Sequence, residues 1–385
     1  MVTKETYKIM AYLFMAYSAL TVMIGYLPVY FQANGFSETQ IGWLMAVGPF
    51  ATIFAQPFWG FLSDRYNTVK KILGLCAVMA LFVSILFFQM TSLALLLVAG
   101  FFLFAFLAPC TALGDSLAHK HASRQEVSFG RIRMWGSIGF AITSLATGFV
   151  IEELGASWML LPFTICIGIA FLVILRLKDV EPSSRSVTLI HAVKHGLRPK
   201  IIIFLVIMFF VSVGHRTNDS FLGLFIVEQG GGESLIGWAW FIGVISEALV
   251  LMLSYLWFRR FPALYFIIIA ALLYAIRWLL MGYLATPEAV LWLQLLHGIT
   301  FAFMYISALQ YISKLMPEEL QATGHLLFIT TFFGVSGIAG SLGGGVLMEA
   351  VTGVGMYYVL GWLGLAGSFG LILFTLINER KAFYA

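Results

Sequence analysis

Twelve long apolar segments make up most of this 385-residue chain. Each is close to the 20 or so apolar residues that cross about 30 Å of hydrocarbon. Lipid leaves no partner for an unpaired backbone group, and the segments lack the alternating pattern of a barrel, so the sequence predicts an all-α integral membrane protein with 12 transmembrane helices. The segments lie near 8–31, 38–62, 72–90, 93–117, 130–151, 156–177, 200–227, 234–258, 262–284, 288–313, 321–348 and 354–377.

The composition agrees with a chain that is solvated mainly by lipid. Hydrophobic residues make up 61% and charged residues 10%, whereas about a quarter of a soluble domain is charged. The net charge of +4 does not indicate nucleic acid, because the positive-inside rule explains basic residues in loops. Cys76, Cys110 and Cys166 lie in apolar segments without metal-ligand spacing. We therefore expect no metal and no cofactor, and the bilayer and a small molecule as partners.

The basic residues indicate how the chain is threaded. All except Arg216 and Arg277 fall in the two termini or in one alternating set of connections. The other connections contain several glutamates and neither Lys nor Arg. Because Lys and Arg accumulate in cytoplasmic loops, the sequence predicts a multi-pass protein of a bacterial-type plasma membrane with both termini cytoplasmic.

An internal repeat divides the chain into halves. Five residues of the second segment recur 195 residues later in the eighth, where Glu38, Ile41, Gly42, Trp43 and Gly48 return as Glu233, Ile236, Gly237, Trp238 and Gly243. Half the chain length is the separation expected of two parallel six-helix repeats. We predict two pseudo-symmetric six-helix bundles, residues 1–178 and 200–385, joined by a polar cytoplasmic linker, 179–199. Two bundles already enclose a cavity, which favours a monomer.

A polar stretch between the second and third segments is the candidate gating loop. Gly60 would allow close helix approach, Asp64 could cap or pair at a helix end, and the basic residues would hold the loop on one membrane face; these are Arg65, Lys70 and Lys71. An ordinary turn would explain the same residues. The glycine-rich eleventh segment is a candidate to close against this loop, through packing that is either static or mobile.

Ionisable side chains inside the apolar segments are the candidate site. A charge deep in the bilayer costs about 2.5 kcal/mol or more, so it needs a partner or a water-filled cavity. Arg216 and Asp219, three residues apart on one helix face, form either an internal charge pair or part of a gate. Asp115 can pair with Arg131 or Arg133, as a salt bridge or as half of a substrate site.

Two further residues are candidates for proton movement. Glu247, near mid-membrane, is a lone carboxylate on which desolvation and a nearby Arg would act in opposite directions, as a proton carrier requires. His297 is either a neutral core residue or a second proton carrier. Asp115, Asp219 and Glu247 formally balance Arg133, Arg216 and Arg277, and a neutral cavity suits an uncharged, hydroxyl-rich solute or an anion that enters with a proton.

Several motifs resemble the major facilitator superfamily over essentially the whole chain. The Gly60–Lys71 loop resembles the superfamily's signature loop between helices 2 and 3. The stretches that resemble the lactose permease type of sugar–proton symporter are Phe-Ala-Gln-Pro-Phe-Trp-Gly-Phe-Leu-Ser-Asp-Arg (54–65), Phe-Gly-Arg-Ile-Arg-Met-Trp-Gly-Ser-Ile-Gly (129–139), Ser-Glu-Ala (246–248), Ile-Arg (276–277) and Leu-His-Gly (296–298). Gly-Val-Ile-Ser-Glu (243–247) and Leu-His-Gly-Ile-Thr-Phe (296–301) also resemble the phenylpropionate permease group.

This resemblance implies secondary active transport by alternating access, with protons as the coupling ion. Carried over by position, it implies that Asp115 and Arg133 form the N-terminal half of the substrate site and that Glu247 is a ligand from the C-terminal half. Arg277 and His297 would belong to the proton-coupling group. The chain departs from the permease pattern at Phe140, the candidate to stack on a solute ring where the pattern has a Trp, and at Thr300, where the pattern has a carboxylate. The second departure makes Glu247 the better candidate for coupling.

The predicted function is proton-coupled uptake of a small organic solute, such as a sugar, a glycoside or an aromatic acid. A proton-coupled drug or metabolite efflux antiporter is the alternative with the same fold, but its cavity would more often be chiefly apolar with a lone acid. An enzyme is not predicted, because neither His-Glu-x-x-His nor Gly-x-Ser-x-Gly is present.

Overall fold

The computed structural model describes residues 3–179, 198–254 and 261–378. Within these ranges the regular structure is entirely helical, and 11 helices are long and apolar enough to cross a membrane. The prediction of an all-α, multi-pass protein is confirmed at this level. The helices are α1 (Lys4–Ala33), α2 (Glu38–Arg65), α3 (Val69–Phe87), α4 (Leu93–Gln125), α5 (Phe129–Leu154), α6 (Leu160–Arg176), α7 (Pro199–Glu228), α8 (Glu233–Met252), α9 (Ala263–Leu284), α10 (Pro287–Leu293), α11 (Leu295–Leu315), α12 (Gln321–Ile329) and α13 (Ser336–Asn378).

The molecule has two parts and two ends. Residues 3–179 are the first part, and residues 198–254 and 261–378 are the second part. Contacts between helix ends define two ends of the bundle, since Glu349 lies beside Ser37 and Glu152 beside Ser234. The acidic end carries Glu38, Glu152, Glu233 and Glu349, and the basic end is the opposite one. Most of the predicted linker, 179–199, and the predicted end of the eighth segment at 258 lie outside the described residues.

Local signals in the sequence set where helices begin. The Ser37 hydroxyl accepts a hydrogen bond from the Gln40 amide at 3.4 Å, and the Ser37 amide donates to Gln40 Oε1 at 3.1 Å. This reciprocal pair is a capping box, which satisfies amides that have no partner inside the helix. A Ser followed three residues later by a Gln predicts such a box from the sequence, and the structure confirms it at the start of α2.

Helix α4 is longer than its apolar segment. The apolar run predicted an end at 117, but the helix continues to Gln125, where Glu126 adopts a left-handed conformation with φ of 52°. Hydropathy detects only the part of a helix that lies in hydrocarbon, and a polar continuation into water remains helical. Asp115 therefore lies about three turns before the end of α4 and not at the end itself.

The tenth predicted segment is broken in two at Gln294. The Ser246 hydroxyl on α8 donates to the Gln294 carbonyl at 3.3 Å and accepts from the Gly298 amide at 3.1 Å. Those two backbone groups would bond directly in a continuous helix. A side chain inserted into the hydrogen-bond ladder is an established cause of a helix break, and this one separates α10 from α11.

The eleventh and twelfth predicted segments, 321–348 and 354–377, form one long apolar stretch, residues 323–378, that is interrupted twice. A π-helical turn at Thr330–Val335 precedes α13, and α13 contains non-helical backbone at Val351 and Thr352, whose φ values are −133° and 64°. Glu228 on α7 then accepts the Gly353 amide with both carboxylate oxygens, at 3.1 and 3.0 Å. This carboxylate caps the helix that resumes after the break.

Candidate functional site

Three helices of the first part bring Tyr17, Asp115 and Arg133 together. Arg133 Nε lies 3.1 Å from Asp115 Oδ1, and the Tyr17 hydroxyl donates to Asp115 Oδ2 at 2.7 Å. The Arg133 guanidinium also lies over the Tyr17 ring, 3.9 Å from its centroid, which is a cation–π contact. The Asp115 and Arg133 side chains are only 30% and 29% exposed. The pair is thus held in a fixed geometry while remaining accessible, and Arg131 is exposed elsewhere on α5.

Glu247 on α8 faces this pair from the second part. Its side chain is partly exposed, and within the described ranges it has neither a hydrogen bond nor a basic nitrogen within 4.0 Å. Arg133 of the first part and Asp219 of the second part are the charged groups that lie near enough to act on it. Tyr305 on α11 interacts with the charges of Arg133 and Glu247 and stacks on Phe301, with ring centroids 5.4 Å apart. These groups come from both parts, and we call the region between them the central space.

An aromatic pair lies between the two parts on the acidic side of the central space. Phe140 on α5 and Trp240 on α8 make an edge-to-face contact with ring centroids 5.6 Å apart. The sequence analysis did not identify Trp240. A signal was available, because Trp240, Gly243 and Glu247 recur at the i, i+3, i+7 spacing of one helix face.

A second polar cluster is buried inside the second part. Arg216 Nη1 lies 2.7 Å from Asp219 Oδ2, so the two residues form an ion pair along one face of α7. His215 Nε2 is 3.5 Å from the same oxygen, and its Nδ1 is 3.2 Å from the Tyr274 hydroxyl. His215 and Tyr274 were not identified from the sequence.

Arg277 and His297 belong to this buried cluster, which corrects the expectation that they face a shared pocket. Arg277 is fully buried, its Nη2 donates to Gln294 Oε1 at 2.7 Å, and its Nη1 lies 3.3 Å from His297 Nδ1. The imidazole of His297 stacks on that of His215, 5.6 Å away. The sequence predicts how far along its helix each residue lies, but the direction of each side chain is set by packing that the sequence does not show.

The Arg277 environment leads to a prediction about stability. Gln294→Glu is expected to raise the melting temperature, because it supplies a counter-charge to a buried cation. Gln294→Leu removes the acceptor and is expected to lower the free energy of unfolding by about 1–3 kcal/mol. Gln310→Leu is the matched control, since the Oε1 of Gln310 has no hydrogen bond among the described residues. Melting of the purified variants in one detergent tests this, and a Gln294→Leu variant that melts like the wild type contradicts it.

The candidate gating loop has a different environment from the one expected. Nothing lies within 4 Å of a Cβ placed on Gly60, so the predicted close helix approach there is wrong for this structure. Asp64, Arg65 and Lys71 are exposed. Lys70 Nζ donates to the carbonyl of Leu175 at 2.8 Å, which ties the loop to the end of α6.

The linker's first residue holds the same loop. Asp179 Oδ1 accepts the amides of Val69 and Lys70, both at 3.0 Å, and Oδ2 accepts the Thr68 hydroxyl. A carboxylate at the first turn of α3 satisfies amides that the helix leaves unpaired. The sequence analysis missed this contact, because the two segments are more than 100 residues apart.

The glycine-rich helix α13 packs against the other half of α2. A Cβ on Gly337 would lie 2.8 Å from Pro49 Cγ, and one on Gly42 would lie 2.6 Å from the Ser341 carbonyl oxygen. The expected contact of this helix with Gly60–Lys71 is therefore replaced by one with the acidic half of α2. A Cβ on Gly237 of α8 would similarly lie 2.7 Å from the Ser144 carbonyl of α5.

Two glutamates join the parts at the acidic end. Glu349 accepts the Ser37 hydroxyl at 3.0 Å and the Thr39 amide at 2.9 Å, at the start of α2. Glu152 accepts the Ser234 amide at 2.7 Å, at the start of α8. Each carboxylate thus caps a helix of the other part. With the close glycine contacts, these caps close the acidic end.

Comparisons with known proteins place the chain among membrane transporters. The model of the MFS_1 like family matches residues 6–359. The maltose permease of Geobacillus stearothermophilus is 28% identical over 374 residues, which span 96% of this chain and 93% of that protein. The probable 3-phenylpropionic acid transporter of Escherichia coli (strain K12) is 24% identical over 336 residues, 81% of this chain and 86% of that protein. The crystal structure of the nucleoside transporter NupG has a TM-score of 0.86 at 16% identity, covering 97% of this chain and 99% of that one, a likeness that shows the fold alone.

Proposed function

This chain belongs to the MFS_1 like family and is a transporter, not an enzyme, and we propose that it takes up a small, uncharged, hydroxyl-rich solute together with a proton. The observation that carries this proposal is the unpaired Glu247, partly exposed and opposite the Asp115–Arg133 pair. In this proposal 12 helices form two pseudo-symmetric bundles, residues 1–178 and 200–385, joined by the linker 179–199, and the protein acts as a monomer.

The charges around the central space favour a neutral solute. Asp115, Arg133 and Glu247 border the space and together carry one negative charge when all are ionised. The cations Arg216 and Arg277 have their own partners in the buried cluster, Asp219 and Gln294. Protonation of Glu247 would bring the net charge of the other three groups to zero, which suits an uncharged solute. Sugar hydroxyls would donate to Glu247 and Asp115 and accept from Arg133, with Phe140 beside the ring. The similarity to a maltose permease, at 28% identity, supports this class of solute.

An aromatic acid is the second candidate solute. The probable 3-phenylpropionic acid transporter, 24% identical, favours it, as does the Phe140–Trp240 pair. A carboxylate solute would be repelled by ionised Glu247 and accepted once Glu247 is protonated. Transport of an acid would therefore require the same proton.

Glu247 would couple the proton to movement of the solute. An uncompensated charge in a closed, dry cavity is costly, so the carrier would reorient when Glu247 is protonated or when its charge is compensated by the solute. The acidic end would face outward and the basic end, with both termini, the cytoplasm. The closed acidic end would make this structure the inward-open state, and Gly60–Lys71 would brace the basic end against the glycine-rich helix in the opposite state. His297 and Arg277 would act on coupling through the buried cluster, without contacting the solute.

Efflux by antiport is the alternative function. The ion pair at Asp115 and Arg133 argues against the chiefly apolar cavity that is typical of drug antiporters. Transport into proteoliposomes under inward and outward proton gradients separates the two functions, because symport accumulates solute only when protons flow in the same direction.

Binding of candidate solutes tests the substrate class. We expect sugars or nucleosides to raise the melting temperature of the purified protein and aromatic acids to do so only at low pH. Arg133→Gln leaves Asp115 without its charged partner and is expected to weaken binding by about 10- to 100-fold, as loss of a charged hydrogen bond of about 1.5–3 kcal/mol implies. Arg124→Gln, which removes an exposed cation on α4, is the matched control. Stabilisation by acids alone at all pH values contradicts the proposed solute class.

A further inference from the structure

An apolar groove lies on the surface of the first part, near the basic end and away from the central space. Its cavity of about 280 Å³ is lined by side chains of α1, α5 and α6, namely Tyr7, Met10, Ala11, Phe14, Met15, Trp135, Ile169 and Val173. The groove follows α1 from Tyr7 to Met15, eight residues, which is about 12 Å along the helix axis.

The groove opens toward lipid. Trp135, Ile142 and Phe149 are 39–50% exposed and recur every seven residues on one face of α5. On α6, Ile169 and Leu172 are likewise exposed. Exposed apolar stripes on these two neighbouring helices are the lipid-facing surface of the bundle. Tyr7 and Trp135 lie near the basic end of this surface. Tyr and Trp are enriched at that depth, where the lipid headgroups begin.

Three basic residues surround the mouth of the groove. On each of its three helices, one residue lies a single turn from a groove-lining residue, toward the basic end: Lys4 before Tyr7, Arg131 before Trp135, and Arg176 after Val173. Residues three or four positions apart share a helix face. Helices α1 and α5 begin at the basic end and α6 ends there, so all three helices place a cation at the same end of the groove.

These cations have no other partner within the described ranges. Lys4, Arg131 and Arg176 are exposed, and their side chains take part in no hydrogen bond or ion pair there. The neighbouring Lys8 is different, because it pairs with Glu5 at 2.9 Å and donates to the Arg176 carbonyl at 2.8 Å. The cluster of Lys4, Arg131 and Arg176 is therefore free to bind an anion.

We propose that this groove binds one acyl chain of an anionic phospholipid, whose phosphate is held by Lys4, Arg131 and Arg176. Apolar grooves with a basic mouth, between helices on the cytoplasmic side, fit such lipids. A general positive-inside bias would explain the number of cations, but not their alignment with the one groove between α1, α5 and α6.

Lipid titration of the purified full chain in detergent tests this proposal. Phosphatidylglycerol is expected to raise the melting temperature more than phosphatidylcholine with the same acyl chains, and native mass spectrometry is expected to detect one tightly retained phosphatidylglycerol. The variant Lys4→Gln/Arg131→Gln/Arg176→Gln should lose this preference, by about fivefold in affinity for each cation removed. The matched control is Arg124→Gln/Arg198→Gln/Lys314→Gln, which removes three exposed cations of the same end and should retain the preference.

The groove itself is tested with Ala11→Phe, which fills it. We expect this variant to lose retention of phosphatidylglycerol although its three cations remain. Equal stabilisation by both lipids, an equal loss in the control triple variant, or full retention in Ala11→Phe would overturn the proposal. Stabilisation by glycerol phosphate as strong as that by the intact lipid would also overturn it, because the acyl chain would then contribute nothing. These readouts are independent of transport, so they do not depend on the proposed function.

Discussion

Proton-driven accumulation of solute is expected to be abolished by Glu247→Gln, while exchange of solute across the membrane persists. Glutamine has nearly the shape of a protonated glutamate and can also hydrogen-bond to a solute, but it cannot lose or gain a proton. The variant would behave as permanently protonated, so both loaded and empty carriers could reorient. A one-proton symporter concentrates its solute up to about tenfold for each unit of pH difference. The variant is expected to stop accumulating solute when its concentrations inside and outside are nearly equal.

Proteoliposomes provide the measurement. Two assays are compared in the same preparation: uptake driven by an inward proton gradient, and counterflow with solute on both sides. A variant that loses driven uptake but retains counterflow is uncoupled and not misfolded. Glu288→Gln, an exposed carboxylate at the start of α10, is the control and should leave both unchanged. Full accumulation by Glu247→Gln would reject Glu247 as the coupling residue. If His297→Gln alone then uncoupled transport, coupling would lie in the buried cluster.

The apolar segments were sufficient to predict a multi-pass helical protein, and the motifs were sufficient to predict its superfamily, which the match over residues 6–359 confirms. The breaks inside those segments could not be predicted. The α10–α11 break depends on Ser246, 48 residues from Gln294, and a hydroxyl inserted from another helix leaves no mark on hydropathy. The length of α4 was missed for a related reason, because its last turns are polar and outside the apolar run.

The ionisable residues of the site were found because charge is rare in apolar segments. Which way they face was not predictable. In a soluble helix an apolar stripe marks the buried face, but in a membrane helix both the lipid face and the core are apolar, so the periodic signal is weak. Glu247 borders the central space, whereas Arg277 and His297 are buried in the second part. His215 was missed because a single histidine carries no pattern by itself.

Bulky residues at Gly42 and Gly237 are expected to prevent closure of the acidic end. A Cβ at either position meets a backbone carbonyl of the other part, Ser341 or Ser144, at 2.6 and 2.7 Å. Backbone cannot move aside as a flexible side chain can, and overpacking typically costs about 1–3 kcal/mol at one site. Gly42→Leu/Gly237→Leu would therefore shift the population by more than tenfold toward a state open at the acidic end. Transport, which needs both states, is expected to fall by a similar factor.

Distances between spin labels at Leu154→Cys and Tyr283→Cys measure this opening directly. Both positions are exposed at the acidic end, one in each part, and the native Cys76, Cys110 and Cys166 are buried, so background labelling is low. The labels are expected to move apart in the double leucine variant. Gly343→Leu is the control, because nothing lies within 4 Å of a Cβ there, and it should keep the wild-type distance and transport. An unchanged distance in the double variant, with normal transport, would mean that the tight glycine contacts do not hold the acidic end closed.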